Sequence, residues 1–157
     1  MTAVKLIGAA AMVAFAYLAG DRALDGLRRR ICLLSELVSF AKQAAVGIGE
    51  YKLTLAAIEA EADVPTLSEI GFFKWLGCGS IDADALACLS DGEREAVSSF
   101  VSSFGKCFSD EQVGLCRALE NAAASSLERA KSDYETKSKI YKSVPPLAVM
   151  SLLIVLL

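Results

Sequence analysis

The residues able to do chemistry are few and poorly placed for it. The chain contains no histidine, which removes the commonest general base and the commonest metal ligand. A Ser-His-Asp triad and a histidine-ligated metal site are therefore excluded. Five cysteines, Cys32, Cys78, Cys88, Cys107 and Cys116, are scattered without any Cys-x-x-Cys spacing, so neither a zinc site nor a dithiol redox centre is written here. Their odd number reads as reduced thiols acting as small apolar residues in a reducing compartment. A Cys107–Cys116 disulfide is open to the chain, but nothing in the sequence supports it. Cysteine-based catalysis lacks a histidine partner.

The acidic neighbours Asp82 with Asp84, and Asp110 with Glu111, read as charges at helix starts, where the helix dipole favours them. Gly77-Cys78-Gly79 is followed by no Lys-Ser or Lys-Thr, so it is not a phosphate-binding loop. No catalytic, cofactor-binding or metal-ligating residue is assigned, and the expectation is a protein that is not an enzyme and carries no cofactor. Sixteen basic residues face 19 acidic ones, a net charge of -3. A nucleic-acid binder needs a basic face, so no nucleic-acid partner is expected.

What remains is an architecture. A chain of 157 residues is long enough for one domain with a real core. It is 54% hydrophobic with mean hydropathy +0.45, high for a water-soluble domain, and the excess sits at the two ends. Leu6 to Gly20 carries no charge. That run is shorter than the roughly 20 residues of a membrane span, but Met1 to Lys5 extend it, with Lys5 reaching back to the interface. Its small residues also suit close helix approach. A secretory signal peptide, cut near Ala14-Phe15-Ala16, is the competing reading. The basic residues Arg22, Arg28, Arg29 and Arg30 that follow resist translocation and favour an uncleaved anchor.

The other end, Val144 to Leu157, is also uncharged. Arg129, Lys131, Lys137, Lys139 and Lys142 precede it, so both flanks put the middle of the chain on the cytoplasmic side. As a helix this end reaches only about 21 Å, short of a bilayer core of roughly 30 Å. Pro145-Pro146 suits a helix start better than a helix interior.

Between the ends the apolar period is helical. Leu24, Leu27, Ile31, Leu34, Val38, Ala41, Ala45 and Ile48 alternate spacings of three and four, a heptad seam on a helix roughly 36 Å long. Gly47-Ile48-Gly49 weakens its end. A short helix is expected over 53–62, ended by Asp63-Val64-Pro65. Another is expected from Ser68 to Leu76, punctuated by Gly71 and carrying Ile70, Phe72, Phe73 and Trp75, which read as core first and as a partner patch second. Ser90 with Glu93, and Ser109 with Gln112, have capping-box spacing. A helix behind the first carries Val97, Phe100, Val101 and Phe104 and stops at Gly105. A long one behind the second runs from about Asp110 to Lys142, with Cys116, Leu119, Ala123, Leu127, Ala130, Tyr134 and Tyr141 as its seam, broken at Lys137.

The fold class expected is all-α: an antiparallel helical bundle built on two long helices, with a short apolar membrane segment at each end. The divisions are 1–21 for the N-terminal anchor, 22–142 for the cytoplasmic helical body, and 143–157 for the C-terminal membrane segment. If the signal peptide were cut instead, the alternative is a secreted or outward-facing helical protein.

In order and spacing the chain resembles the stage III sporulation protein AB family of endospore-forming bacteria, over nearly its full length. The resemblance rests on Lys5-Leu6-Ile7-Gly8 followed by Arg28-Arg29-Arg30, on Phe104 to Gln112, and on Ala130-Lys131 with Lys139-Ile140-Tyr141-Lys142 ahead of the Leu/Ile/Val tail. It departs from the family where Ser143-Val144-Pro145-Pro146 stand in place of glycines. The resemblance implies a membrane platform of a secretion-like transenvelope complex, in the mother-cell membrane facing the forespore, with its body in the cytoplasm. It further implies a body similar to the cytoplasmic domain of the inner-membrane platform proteins of type II secretion and type IV pilus systems. The partners implied are a secretion-type ATPase and sister membrane proteins of the assembly, beside the lipid bilayer itself; oligomerisation is left open. No catalytic residue is implied.

Overall fold

The absence of proline before Pro65 lets a single helix, α1, run from Thr2 to Gly49 in the computed structural model. The structure describes residues 2–82 and 84–156. In the terminal stretches it describes the side-chain surroundings of Gly8, Ala11, Ala14, Phe15, Leu18, Asp21 and Arg22, and of Ser143, Leu147 and Ser151. The protein is mostly helical, with no strand among the described residues. Four shorter helices follow α1: α2 (Leu55–Glu61), α3 (Pro65–Glu69), α4 (Phe72–Cys78) and α5 (Asp91–Ser103). The last helix, α6, covers Ser109–Leu156.

By contact the chain divides into two units. One is Met1–Arg28 with Ala130–Leu157, the other Arg29–Arg129. In the second, α1 buries Leu33, Leu34, Leu37, Phe40, Ala41, Ala44 and Ile48. Of the expected seam, Leu34, Ala41 and Ile48 are on that face, whereas Ile31, Val38 and Ala45 are only half-buried. The buried stripe is thus rotated toward Leu33, Leu37 and Phe40. A two-helix seam needs a narrow stripe, but this helix is met by several short elements and needs a broader one. In α6 the buried positions within the unit are Cys116, Leu119, Ala123 and Leu127, the spacing read from the sequence.

Phe40 is the hub of the core. It is fully buried, and its ring meets Phe72 at 5.2 Å, Phe73 at 5.7 Å and Phe100 at 6.3 Å, all edge to face. That is the arrangement in which the positive edge of one ring faces the negative face of the next. Trp75 extends the cluster from Phe72 at 6.2 Å.

The short helices are set by local chemistry. Thr54 caps α2, its hydroxyl accepting from the Ala57 amide at 3.4 Å. Pro65 opens α3 at a position where its missing N–H is not needed. The single helix expected from Ser68 to Leu76 is instead two helices. Gly71, at φ +79°, is in the left-handed region that only glycine enters cheaply, so it breaks the path rather than merely weakening it. Glu93 accepts from the Ser90 amide at 2.8 Å, making the expected capping box at the start of α5. Gly105, at φ +80°, follows its end.

The second capping box, Ser109 with Gln112, does not form. The Gln112 amide donates to the Phe108 carbonyl at 2.9 Å, so Phe108 precedes the first turn and Ser109 is already helical. The Gln112 side chain donates instead to the Cys107 carbonyl at 2.8 Å. Helix α6 also continues past Lys142 and through Pro145 and Pro146, where the sequence favoured a fresh start.

In the other unit, Arg28 ties α1 to α6. Its Nε donates to the Tyr134 hydroxyl at 3.0 Å and its Nη1 to Asp25 at 2.9 Å, with the guanidinium 5.8 Å from the Tyr134 ring centroid. Ser138, next to Lys137, is buried; the helical face therefore carries on past the lysine that breaks the apolar seam. Most side chains of the two expected membrane segments, 1–21 and 143–157, lie outside the described residues. Of those described, Phe15 is 74%, Leu18 66% and Leu147 67% exposed.

One helical stretch near the N-terminus, Leu24–Gly49, is long and apolar enough to cross a membrane by length and composition, with mean hydropathy 1.5 over its window. Half of that window is buried within the protein, which is also how the central helix of a packed body looks.

Candidate functional site

The residues with chemical potential stay apart. All five cysteines are free. Cys107 donates to the Ser103 carbonyl at 3.6 Å and does not bridge to Cys116. Burial pushes the Cys116 thiol up to about 11, so at neutral pH it is an apolar filler and not a nucleophile. Asp82 accepts from the Asp84 amide at 3.1 Å, a local turn. Asp110 and Glu111 occupy the first turn of α6. Among the described residues no three acidic or cysteine side chains gather to hold a metal ion.

The apolar residues of the 69–75 stretch turn inward. Phe72 and Trp75 are buried and Phe73 is half-buried, so they belong to the core and not to a partner patch. The exposed aromatics of the Arg29–Arg129 unit lie elsewhere: Tyr51, after α1, and Phe108, 84% exposed, before α6. Each stands in a turn between glycines and charges, where the sequence offered no period to judge it by.

Two polar constellations tie the body together, and both escaped the sequence reading. In the first, the Glu36 carboxylate of α1 reaches across to the start of α3. It accepts from the Thr66 amide at 3.2 Å, the Thr66 hydroxyl at 2.5 Å and the Leu67 amide at 2.9 Å. Val64, at the N-cap of α3, supplies no side-chain cap of its own. Glu36 therefore does that work from another helix, with its charge at the positive end. Glu36→Ala should lower stability by about 1–3 kcal/mol, because at least one amide would be left half-buried without an acceptor. Chemical denaturation of the variant checks this, and amide exchange at Thr66 and Leu67 should speed up with it.

In the second, Arg30 of α1 grips Glu93 of α5. Its Nη2 donates to Oε1 at 2.6 Å and its Nε to Oε2 at 3.1 Å, a two-pronged pairing. Glu93 is the one charged residue that is buried among those described. Burial by itself raises its pKa; the Arg30 hydrogen bonds and the Ser90 amide outweigh that and hold it below the ordinary carboxylate range. The three consecutive arginines are thus not equivalent. Arg28 is engaged with Tyr134 and Asp25, and Arg30 with Glu93, while Arg29 is exposed. Reversing all three charges would therefore break the Arg28 and Arg30 contacts, whereas a change at Arg29 alone leaves both intact.

Beside the Arg30–Glu93 pair lies a pocket of about 210 Å³ between α1, α5 and α6. Leu34, Leu37, Val97 and Leu119 form its buried floor; Ser90, Gly92 and Arg129 stand at its exposed rim. Two larger, more open grooves flank the far turns. One is lined by Ile48, Leu53 and Phe104 among others, the other by Val46, Tyr51 and Ile58 among others.

Comparison with protein-family models, with curated proteins and with solved structures finds no match for this chain.

Proposed function

We propose that the chain is a non-enzymatic membrane platform or assembly component, its two long helices forming an antiparallel bundle from which both chain termini lead into the bilayer. The observation that carries this reading is the exposure of Phe15, Leu18 and Leu147 in the terminal stretches of the chain. Large apolar side chains left uncovered by the protein's own fold call for an apolar surround, and a bilayer supplies one along a helix. The basic residues beside both stretches support a cytoplasmic body.

The resemblance to the stage III sporulation protein AB family narrows the proposal. In that reading the protein belongs to a secretion-like transenvelope assembly between mother cell and forespore. Its body meets a cytoplasmic secretion-type ATPase, and its terminal helices meet sister membrane proteins.

Topology is the test. With the native cysteines replaced, Thr2→Cys and Ser99→Cys are labelled separately by a membrane-impermeant maleimide in intact cells of a vegetative bacterial host. Ser99 is an exposed position of α5, so its protection would report location and not burial. Labelling of the first with protection of the second until lysis supports the proposal. Labelling of Ser99→Cys in intact cells removes the cytoplasmic body and the ATPase partnership together.

A further inference from the structure

The pocket beside the Arg30–Glu93 pair has two chemically distinct halves. Its floor is aliphatic and buried: Leu34 and Leu37 from α1, Val97 from α5, Leu119 and Ala123 from α6. Its rim is polar, and its charges are not balanced. Arg30 is matched by Glu93 within the rim itself, whereas Arg129 also lines the pocket and forms no ion pair among the described residues. The lining thus carries one cation beyond its carboxylate. Gly92 leaves room on the same side, since a Cβ placed there would meet nothing within 4 Å.

An apolar floor under a cationic rim selects for a molecule with the opposite arrangement. The size bounds it further. About 210 Å³ exceeds the roughly 150 Å³ that suffices for benzene and falls below the roughly 300–1,000 Å³ of sites for drug-sized ligands. We propose that this pocket binds a small anionic amphiphile, its head group held by Arg129 at the rim and a short acyl chain enclosed by Leu34, Leu37, Val97 and Leu119. The pocket lies wholly within residues 29–129, so the proposal does not rest on the membrane reading, and the two can fail separately.

The test uses the full chain in phosphatidylcholine nanodiscs, or in buffer if it proves soluble. Leucine and valine methyl groups are isotope-labelled, and the probes are butanoate, hexanoate, octanoate and decanoate, with octanol as the uncharged control. The expected result is saturable shifts at Leu34, Leu37, Val97 and Leu119. Affinity should rise by about four-fold per added methylene and then level off once the pocket is full. Arg129→Gln should weaken octanoate by about ten-fold and leave octanol unchanged. Ala96→Leu, on the rim of the same pocket, should abolish the shifts while circular dichroism stays that of the parent.

Absence of saturable shifts overturns the proposal. So does affinity that keeps climbing with chain length and ignores Arg129→Gln, which is partition into the bilayer only. A folded Ala96→Leu protein that binds octanoate as the parent does overturns it as well. Nanodiscs containing phosphatidylglycerol separate the sources: competition assigns the chain of an anionic bilayer lipid, and unchanged affinity assigns a free acid. Either keeps the ligand class.

Discussion

Replacing Arg30 by methionine should destabilise the protein by about 3–5 kcal/mol, because it strands a charge in a buried place. The side chains of Arg30 and Glu93 are only 22% and 7% exposed, so solvent cannot make good the loss. The double variant Arg30→Met with Glu93→Leu should recover most of the difference, since removing both charges avoids the stranded one; what stays lost is the acceptor for the Ser90 amide. Urea unfolding followed by the fluorescence of Trp75, the chain's one tryptophan, measures all three. If the single and double variants are equally unstable, the cost comes from lost packing and not from charge.

The same pair sets a pH dependence. Glu93 has a lower pKa folded than unfolded, so the folded state holds its proton less tightly. Its contribution is full above the unfolded carboxylate value of about 4.3. It is lost as pH falls through the lower folded value. Stability of the parent should therefore decline on acidification below about pH 5, and the double variant should decline less.

Phe40→Ala should cost about 3–5 kcal/mol through the cavity it leaves. The loss reaches further than one side chain, because Phe72, Phe73 and Phe100 all lean on that ring. Phe40→Leu should cost markedly less, since it keeps most of the volume while giving up the ring edges. Phe108→Ser, at a ring that is 84% exposed, should change stability by no more than about 0.5 kcal/mol. The same unfolding measurement ranks the three, and a Phe40→Ala variant as stable as Phe108→Ser would remove Phe40 from the centre of the core.

What could be read from the sequence was what short-range geometry decides. The Ser90–Glu93 box is a contact three residues long and was legible. The buried face of α6 was legible because one period persists from Cys116 to Leu127. The face of α1 was read a step off, since Ile31, Val38 and Ala45 are as apolar as Leu37 and Ala44. Only the position of α3, α4 and α5 around the helix decides between them. Ser109–Gln112 had the spacing of a box but lost the Gln112 amide to a competing acceptor, the Phe108 carbonyl, which no spacing rule weighs. Gly71 was visible as punctuation, yet its positive φ, and with it the division into α3 and α4, was not. The polar constellations were out of reach for a simpler reason. Glu36 finds Thr66 thirty residues away and Arg30 finds Glu93 sixty-three away, and nothing local marks either as paired. The pocket is further still from the sequence, for it exists only where three helices converge.

The helices between α1 and α5 carry a consequence for the order in which the chain matures. At seven, five and seven residues each is far below the roughly 12–15 at which an isolated helix becomes even marginal in water. They are held by anchors on a helix made before them: Glu36 under α3 and Phe40 under α4. A chain emerging from the ribosome therefore has a place to lay down α2 to α4 as soon as they appear. It has no cover yet for the part of α1 that meets the last helix, where Val113 comes within 3.5 Å of the Cβ position of Gly49. Until residues beyond 109 are synthesised, Leu34 and Leu37 look out on an open trough in place of a pocket. The nascent chain is stickiest in that interval, and a stall there is where aggregation or chaperone capture would begin.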